Sequence, residues 1–599
     1  MAADLQAGAP PSPPVDRGSR AIRQIVIRGS LLLLPLLPVF YLLYLINQCG
    51  VNVPYADEFT LAPLLLKAHD HTLTLSDLFS QHNEHRYVFT RLLFIAINFC
   101  SRGDVRAEMF FSVFLVFLTG TILWWLLRKT IPHSAGSRTF ALCLFSLLLF
   151  SPVQAENWVW GFQTPLFFCN LLLTCAIAVA FSNLELKRKF VLCAAIAFIA
   201  SFSFGGGVVL WLVTFPCALL GHREKSVSWR WGWFAFWCAL AAASITLYFF
   251  HYVKPPYHPP IAAAKKPLEY YRYVAGFLGA HLSRASRLEP ITQAVAIGTG
   301  LLALYLGGAI YCLRRFKDSS LLNRLLPWLA LGGYALINGA LAALARIGFG
   351  VHQALDSRYT SFSLFISVAV IALFIIAKED LPKRWTNGRA ALVFMRGETA
   401  LVTLFGILTL LASSWGRESM LASKKTRLLG KGALLFTNVM DSGAIHDQCL
   451  GANAPDARMF ANQLDSIGLM HPAMIKSAEI RKLKTVSKPA GFLDAISVSG
   501  QSCTVIGWGV LPKTRGSAYC VVLSYDDPEK GPIAFRMADE ILGRPDVAAA
   551  LESPEASDSG WACHFERSAV PSGDHLLTAW AFDAERAVLY RLDTPQILH

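Results

Sequence analysis

The sequence predicts an α-helical polytopic membrane protein of about eleven transmembrane helices, closed by a C-terminal β-sandwich. Three observations predict it. Only 16% of the 599 residues are charged and mean hydropathy is +0.44, against about a quarter charged in a soluble domain. Long charge-free runs recur from Leu31 to Leu411, each near the ~20 residues that cross a bilayer. From about Gly491 the pattern changes to short alternating runs between turns, the mark of a sandwich.

The apolar runs lie at about 30–47, 107–127, 139–151, 164–182, 190–204, 207–221, 231–250, 291–313, 325–345, 358–377 and 398–415. No small-residue cleavage site follows the first, so it reads as a retained helix and not a signal peptide. Residues 1–20, rich in Pro, Ala and Gly, read as a disordered cytoplasmic N-terminus. Basic residues gather in alternate loops: Arg17–Arg28, Arg128–Arg138, Lys187–Lys189, Arg223–Arg230, Arg314–Arg324 and Lys378–Arg396. The short loops between them, Ser151–Gln163 and Gly205–Gly207, carry no Lys or Arg. By the positive-inside rule the N-terminus is cytoplasmic, and the loop 48–106 and everything after Trp415 lie outside. The net charge of +14 is explained by this topology and not by nucleic-acid binding. Tyr87–Phe99 is apolar but short and flanked by His85, Arg86, Arg91 and Arg102. A crossing there would invert every later basic loop, so it reads as an amphipathic helix on the outer surface.

The domains expected are thus a membrane domain over 21–415, whose loop 48–106 holds two or three short interfacial helices, a helical linker over 416–488 and the sandwich over 489–599. The linker is expected to hold helices at Asp456–Ile467 and Pro472–Val486. Strands are expected at Ala495–Val498, Cys503–Val510, Ala518–Tyr525, Trp561–Glu566, His575–Asp583 and Ala587–Leu592. Cys503, Cys520 and Cys563 lie on or beside them, outside the cytoplasm, where disulfides form; the pairing stays open.

Four polar clusters carry candidate chemistry. Asp57-Glu58 lies just beyond the first span. Two adjacent carboxylates there act either as a solvated helix cap or as a base, Asp57, with an acidic partner. His82-Asn-Glu-His-Arg86 with Arg91 is either a headgroup-contacting surface or a phosphate and acceptor site, with His82, Glu84, His85 and Arg91 on the substrate and Arg86 on phosphate. Arg346 and Arg358, with Gln353 and Tyr359, form the loop between the ninth and tenth spans. They are either interfacial anchors or bidentate ligands for a lipid-linked phosphate. Glu156-Asn-Trp158, Trp160 and Gln163 form either an aromatic belt or a sugar-binding surface, where ring faces stack on C–H groups and amides bond hydroxyls. Gly205-Gly-Gly207 reads as a tight turn between spans; Walker, HExxH and GxSxG motifs are missing from the sequence.

An acidic pair just after the first span, a large first external loop with juxtamembrane helices, about eleven spans and an external C-terminal domain resemble the GT-C superfamily of integral-membrane glycosyltransferases. The resemblance covers roughly residues 20–415 and is architectural. Val505-Ile-Gly-Trp-Gly509 and Gly543-Arg-Pro-Asp-Val547 are similar to β-rich modules attached to some bacterial envelope glycosyltransferases. The resemblance implies a bacterial inner-membrane enzyme that moves a sugar from a polyprenyl-phosphate donor to an envelope glycan or glycolipid at the periplasmic face. Asp57 would be the base with Glu58 as partner, and Arg346 and Arg358 would hold the donor phosphate. Some members use a divalent cation; the sequence shows no convincing ligand set, and the question stays open. The other readings are a lipid-linked glycan transporter, which would place ionisable residues at mid-membrane, and an O-antigen-type polymerase or ligase.

Overall fold

The computed structural model describes residues 33–221, 226–256, 266–284, 289–380, 388–441 and 445–599. The disordered segment expected at 1–20 lies outside the described residues. Among these residues eight helices are long and apolar enough to cross a membrane: Arg106–Thr130, Ala135–Val159, Gly161–Ala180, Val227–Tyr248, Pro290–Arg314, Ser319–Phe349, Ser357–Asp380 and Thr399–Phe436. The remaining three expected spans are shorter in the described residues. They are Leu37–Cys49, Leu186–Ser201 and a segment broken at Thr214 into Leu210–Val213 and Phe215–Gly221.

Composition sorts the helices. Thr360–Asp380 is apolar all round and is the axis of the bundle, with 89% of its apolar window buried, whereas for Val227–Tyr248 the share is 17%. A helix hydrophobic on every face sits in a core, and one left uncovered by protein faces lipid. At one end of the bundle Arg324 ties helices together, binding Glu379 and the Thr130 carbonyl. At the other end of the same helix Arg346 meets Glu84 of the first loop.

That loop carries a 3₁₀ turn, Ala56–Leu61, and short helices Ala62–His69, Leu75–Phe79 and Val88–Ser101. The last is the expected amphipathic segment: Val88, Thr90, Phe94 and Asn98 are buried while Leu92 and Phe99 are exposed.

The expected final span does not stop near Trp415. One helix runs unbroken over Gly388–Phe436, so the start of the linker is a continuation of the span. Ala454–Ser466 is helical as expected. Pro472–Val486 is not a helix: it is extended chain with a single 3₁₀ turn and the short strand β1, Lys484–Val486.

The C-terminal region is a two-sheet β domain. Its further strands are β2 Gly491–Ser499, β3 Ser502–Leu511, β4 Gly516–Ser517, β5 Val521–Asp527, β6 Gly531–Met537, β7 Glu540–Leu542, β8 Gly560–Glu566, β9 His575–Asp583, β10 Val588–Arg591 and β11 Gln596–Leu598. One sheet has the order β1-β10-β9-β5-β6 with β11 beside β9, the other β2-β3-β8-β7 with β4 beside β3. Val505, Leu523, Trp561 and Ala579 fill the space between them. The position that would allow a disulfide is not used for one: Cys503, Cys520 and Cys563 are buried free thiols. Cys520 instead donates to the Leu428 carbonyl at 2.9 Å, seating the domain on the long helix.

Helices Pro267–Gly279 and Pro290–Arg314 cross at glycines. A Cβ on Gly298 would lie 1.8 Å from the Ala275 carbonyl oxygen, so the helices touch backbone to backbone. Gly298→Ala is expected to lower stability by about 1–3 kcal/mol, the range for forced overpacking, read as a lower melting temperature of the detergent-purified protein.

Candidate functional site

A cavity of about 860 Å³ opens where the first loop meets the bundle. Asp57, Glu84 and His85 line it from the loop, Trp160 and Gln163 from the turn between two spans, and Arg346, Arg358 and Tyr359 from the opposite side. These expected residues therefore converge on one space.

The loop is shaped by a two-residue turn. His82 and His85 exchange both backbone hydrogen bonds, at 2.9 and 2.8 Å, and Asn83 between them has φ +49°, a conformation Asn tolerates better than most residues. The turn sets both imidazoles against Tyr87, with ring centroids 5.6 and 5.3 Å away. It also aims the Asn83 amide at Asp57 Oδ2, 3.2 Å away, beside His82 Nε2 at 3.5 Å. The Asp57 side chain is 45% exposed. An amide and an imidazole orient this carboxylate and leave it reachable.

His85 accepts from the Gly205 N–H at Nδ1, 3.2 Å away, and stacks on Phe204 at 4.5 Å. That contact leaves the proton on Nε2, which points to Glu84 Oε1 at 3.6 Å. Burial pushes the imidazole pKa down to about 4, against the pull of Glu84, so His85 is neutral at pH 7. Gly205 is required for the contact, because a Cβ there would sit 2.7 Å from His85 Nδ1.

Both arginines of the far wall are held by carboxylates. Arg346 binds Glu84. Arg358 binds Asp356 Oδ2 at 2.8 Å, with Glu156 Oε1 at 4.0 Å. Arg346 is 22% exposed and Arg358 39%, so both guanidiniums remain accessible from the cavity.

No protein-family model matches the chain, and no curated protein matches it. The site is therefore read from its own geometry.

Several expected residues take structural places. Glu58 does not share the cavity with Asp57. It turns into the protein, 4% exposed, and caps its own turn by accepting from Tyr55 N–H. Arg86 does not face a phosphate: it is buried and gives hydrogen bonds to the carbonyls of Phe79, Tyr248 and Phe250. Arg91 donates to the carbonyls of Asp77, Leu78 and Ser80, closing the end of a short helix. Trp158 is no sugar platform. It is fully buried, stacked on Phe167 at 4.6 Å, with its N–H on the Ser151 carbonyl. Asn157 is equally buried and donates to Ser361 Oγ at 2.6 Å, while the Glu156 N–H donates to Ser357 Oγ at 3.1 Å. This segment anchors the turn that bears Arg358. Gln353 sits in the neighbouring turn Val351–Leu355, away from the cavity lining.

The sequence reading missed Asn83, Tyr87, Phe204, Tyr248 and Asn338, all of which line the cavity. Gly205-Gly-Gly207 was the available signal. Gly206 approaches Asn338 as closely as Gly205 approaches His85, and successive glycines mark close contact with side chains from elsewhere. Among the described residues no group of three or more His, Cys, Asp or Glu is placed to hold a metal ion.

A base whose folded pKa lies below its unfolded value stabilises fully above the unfolded value and loses that contribution as pH falls. His85 should therefore cost stability as pH drops from about 6.5 toward 4. His85→Gln keeps an acceptor for Gly205, and its melting temperature is expected to fall less than the native one across that window.

Proposed function

We propose that the protein is a membrane glycosyltransferase that moves a sugar from a polyprenyl-phosphate donor to a glycan or glycolipid of the bacterial cell envelope, at the periplasmic face of the inner membrane. The observation that carries this reading is the single cavity with an oriented, accessible carboxylate on one wall and two arginines on the other. Asp57 takes the proton of the acceptor hydroxyl. Arg346 and Arg358 bind the donor phosphate and stabilise the charge that grows on it as the sugar leaves. The hydroxyl oxygen bonds to the anomeric carbon, the bond from that carbon to the phosphate oxygen breaks, and inversion follows from a single displacement. Trp160 and Phe162 supply apolar wall beside Gln163 for a sugar ring. A transporter is less well supported, because the charged side chains of the cavity cluster at the loop end of the bundle.

Asp57→Asn keeps the shape and the hydrogen bond from Asn83 but removes the base. In purified protein given a panel of polyprenyl-phosphate sugars and envelope glycolipids, transfer is expected to fall by about 10²–10⁴-fold. Full activity in this variant would overturn the reading. Arg346→Gln is expected to raise the KM for the donor and lower kcat together, measured in the same assay, because the phosphate is bound in the ground state and more strongly in the transition state.

A further inference from the structure

The cavity leaves one buried carboxyl unused. Glu58 lies on the back of the turn whose front carries Asp57, and Glu108, in the first turn of Arg106–Thr130, is fully buried against it. One oxygen of each is accounted for. The Tyr55 N–H donates to Glu58 Oε2 at 3.1 Å, and Asn98 Nδ2 donates to Glu108 Oε1 at 2.6 Å. Glu58 Oε1 and Glu108 Oε2 have no hydrogen-bond partner, and the two carboxyls interact with each other. Both crowd Gly161, where a Cβ would come within 2.9 and 2.4 Å of them.

Two ionised carboxylates facing each other away from water pay desolvation and like-charge repulsion together, and one proton between them relieves both. We propose that Glu58 and Glu108 share one proton, and that this clasp positions Asp57 by pinning its turn to the Arg106–Thr130 helix. The role is positioning, not catalysis, and its link to activity rests on the glycosyltransferase reading. The charged and titratable groups around the pair are Arg427 of the long helix, Tyr55 of the same turn, and His471, which lines the small void beside both carboxyls. Burial pushes the Glu58 carboxyl up to about 7, against the hydrogen bond from Glu108 and the charge of Arg427, which both favour its ionised form. The direction follows: from about pH 7 upward Glu58 is the ionised partner and the one remaining proton holds the turn, and once that proton too is lost at more alkaline pH the pair becomes doubly charged and the turn is pushed from the helix.

Glu108→Gln tests this. Its amide oxygen still accepts from Asn98 while its N–H₂ donates to Glu58 at any pH. Native transfer activity is expected to fall by about tenfold per pH unit beyond the alkaline pH at which that last proton leaves, the slope of one lost proton, and the variant to lose that alkaline limb while retaining activity at pH 7. An unchanged limb in the variant would overturn the positioning role, since a part that only stabilised the fold would shift melting temperature and not the pH profile. The second readout needs no substrate. The infrared carbonyl band of a buried carboxylic acid, assigned with ¹³C-labelled Glu in the native protein, is expected to persist at pH 8, to disappear over the same alkaline range as the activity, and to be missing at pH 8 in Glu108→Gln, whose amide leaves Glu58 ionised. A native protein without that band overturns the clasp whatever its activity. An active Asp57→Asn with the band intact would overturn the proposed function and leave the clasp standing.

Discussion

A buried guanidinium holds together the parts that meet at the cavity. Arg427 is 4% exposed, donates to the Val159 carbonyl at 2.7 Å and lies 4.0 Å over the ring of Tyr55. Val159 directly precedes Trp160 in the cavity wall, and Tyr55 directly precedes the turn that carries Asp57. Tyr55 also packs edge-on against Trp160 at 5.2 Å. Burying a charge is costly unless hydrogen bonds and neighbouring charge and π density compensate it, so these contacts are requirements of the cation and not options. One side chain thereby fixes two walls of the site.

Arg427 reaches that position only because its helix does not end with the membrane span. Beyond Trp415 the same helix becomes the seat of the β domain. Lys425 pairs with Asp558, Lys431 is fully buried against Glu585 at 3.1 Å, and Leu428 accepts from Cys520. Val53 and Phe59 of the first loop, Leu435 and Phe436 of the helix, and Val522 and Phe582 of the larger sheet share one hydrophobic core. Apolar burial holds these three parts together, while the ion pairs fix which face of the helix the sheet meets. Buried pairs contribute more to register than to net stability. The three parts cannot be varied independently, and a change in the β domain has a short mechanical route to the turn of Asp57.

The membrane character was legible because it is a property of composition, and the strands of the β domain because alternation survives in a single sequence. What escaped depended on local geometry. Asp57 and Glu58 read as one acidic pair, yet consecutive residues on a 3₁₀ turn point about 120° apart, so one faces the cavity and the other the protein. Arg417-Glu418 and Lys424-Lys425 end the apolar run after Trp415 without ending the helix, since charged side chains are good helix formers. Strand β6 is not among the expected strands; it begins Gly531-Pro532 and lies at the edge of its sheet, where proline is tolerated. Arg86 and Arg91 had the residue type for phosphate, but nothing in the sequence showed that backbone carbonyls of distant segments would consume their donors.

The same distinction bears on the two arginines that do line the cavity. Each already has a carboxylate partner, Glu84 for Arg346 and Asp356 for Arg358. A guanidinium carries five N–H donors in a planar fork, more than one carboxylate accepts, so such pairing orients the fork without exhausting it. Arg86, by contrast, spends its Nε and both terminal nitrogens on carbonyls and is buried. Under the proposed reading, pre-pairing has two effects. It lowers the rotamer entropy lost when a phosphate arrives, which favours binding. It also keeps the resting cavity close to neutral, so that the anionic carrier phosphate left after transfer meets two partly satisfied cations and not two bare ones. Two unpaired arginines would bind the donor and the leaving group more tightly alike. That uniform gain lowers KM without raising kcat, and it would slow release of the spent carrier.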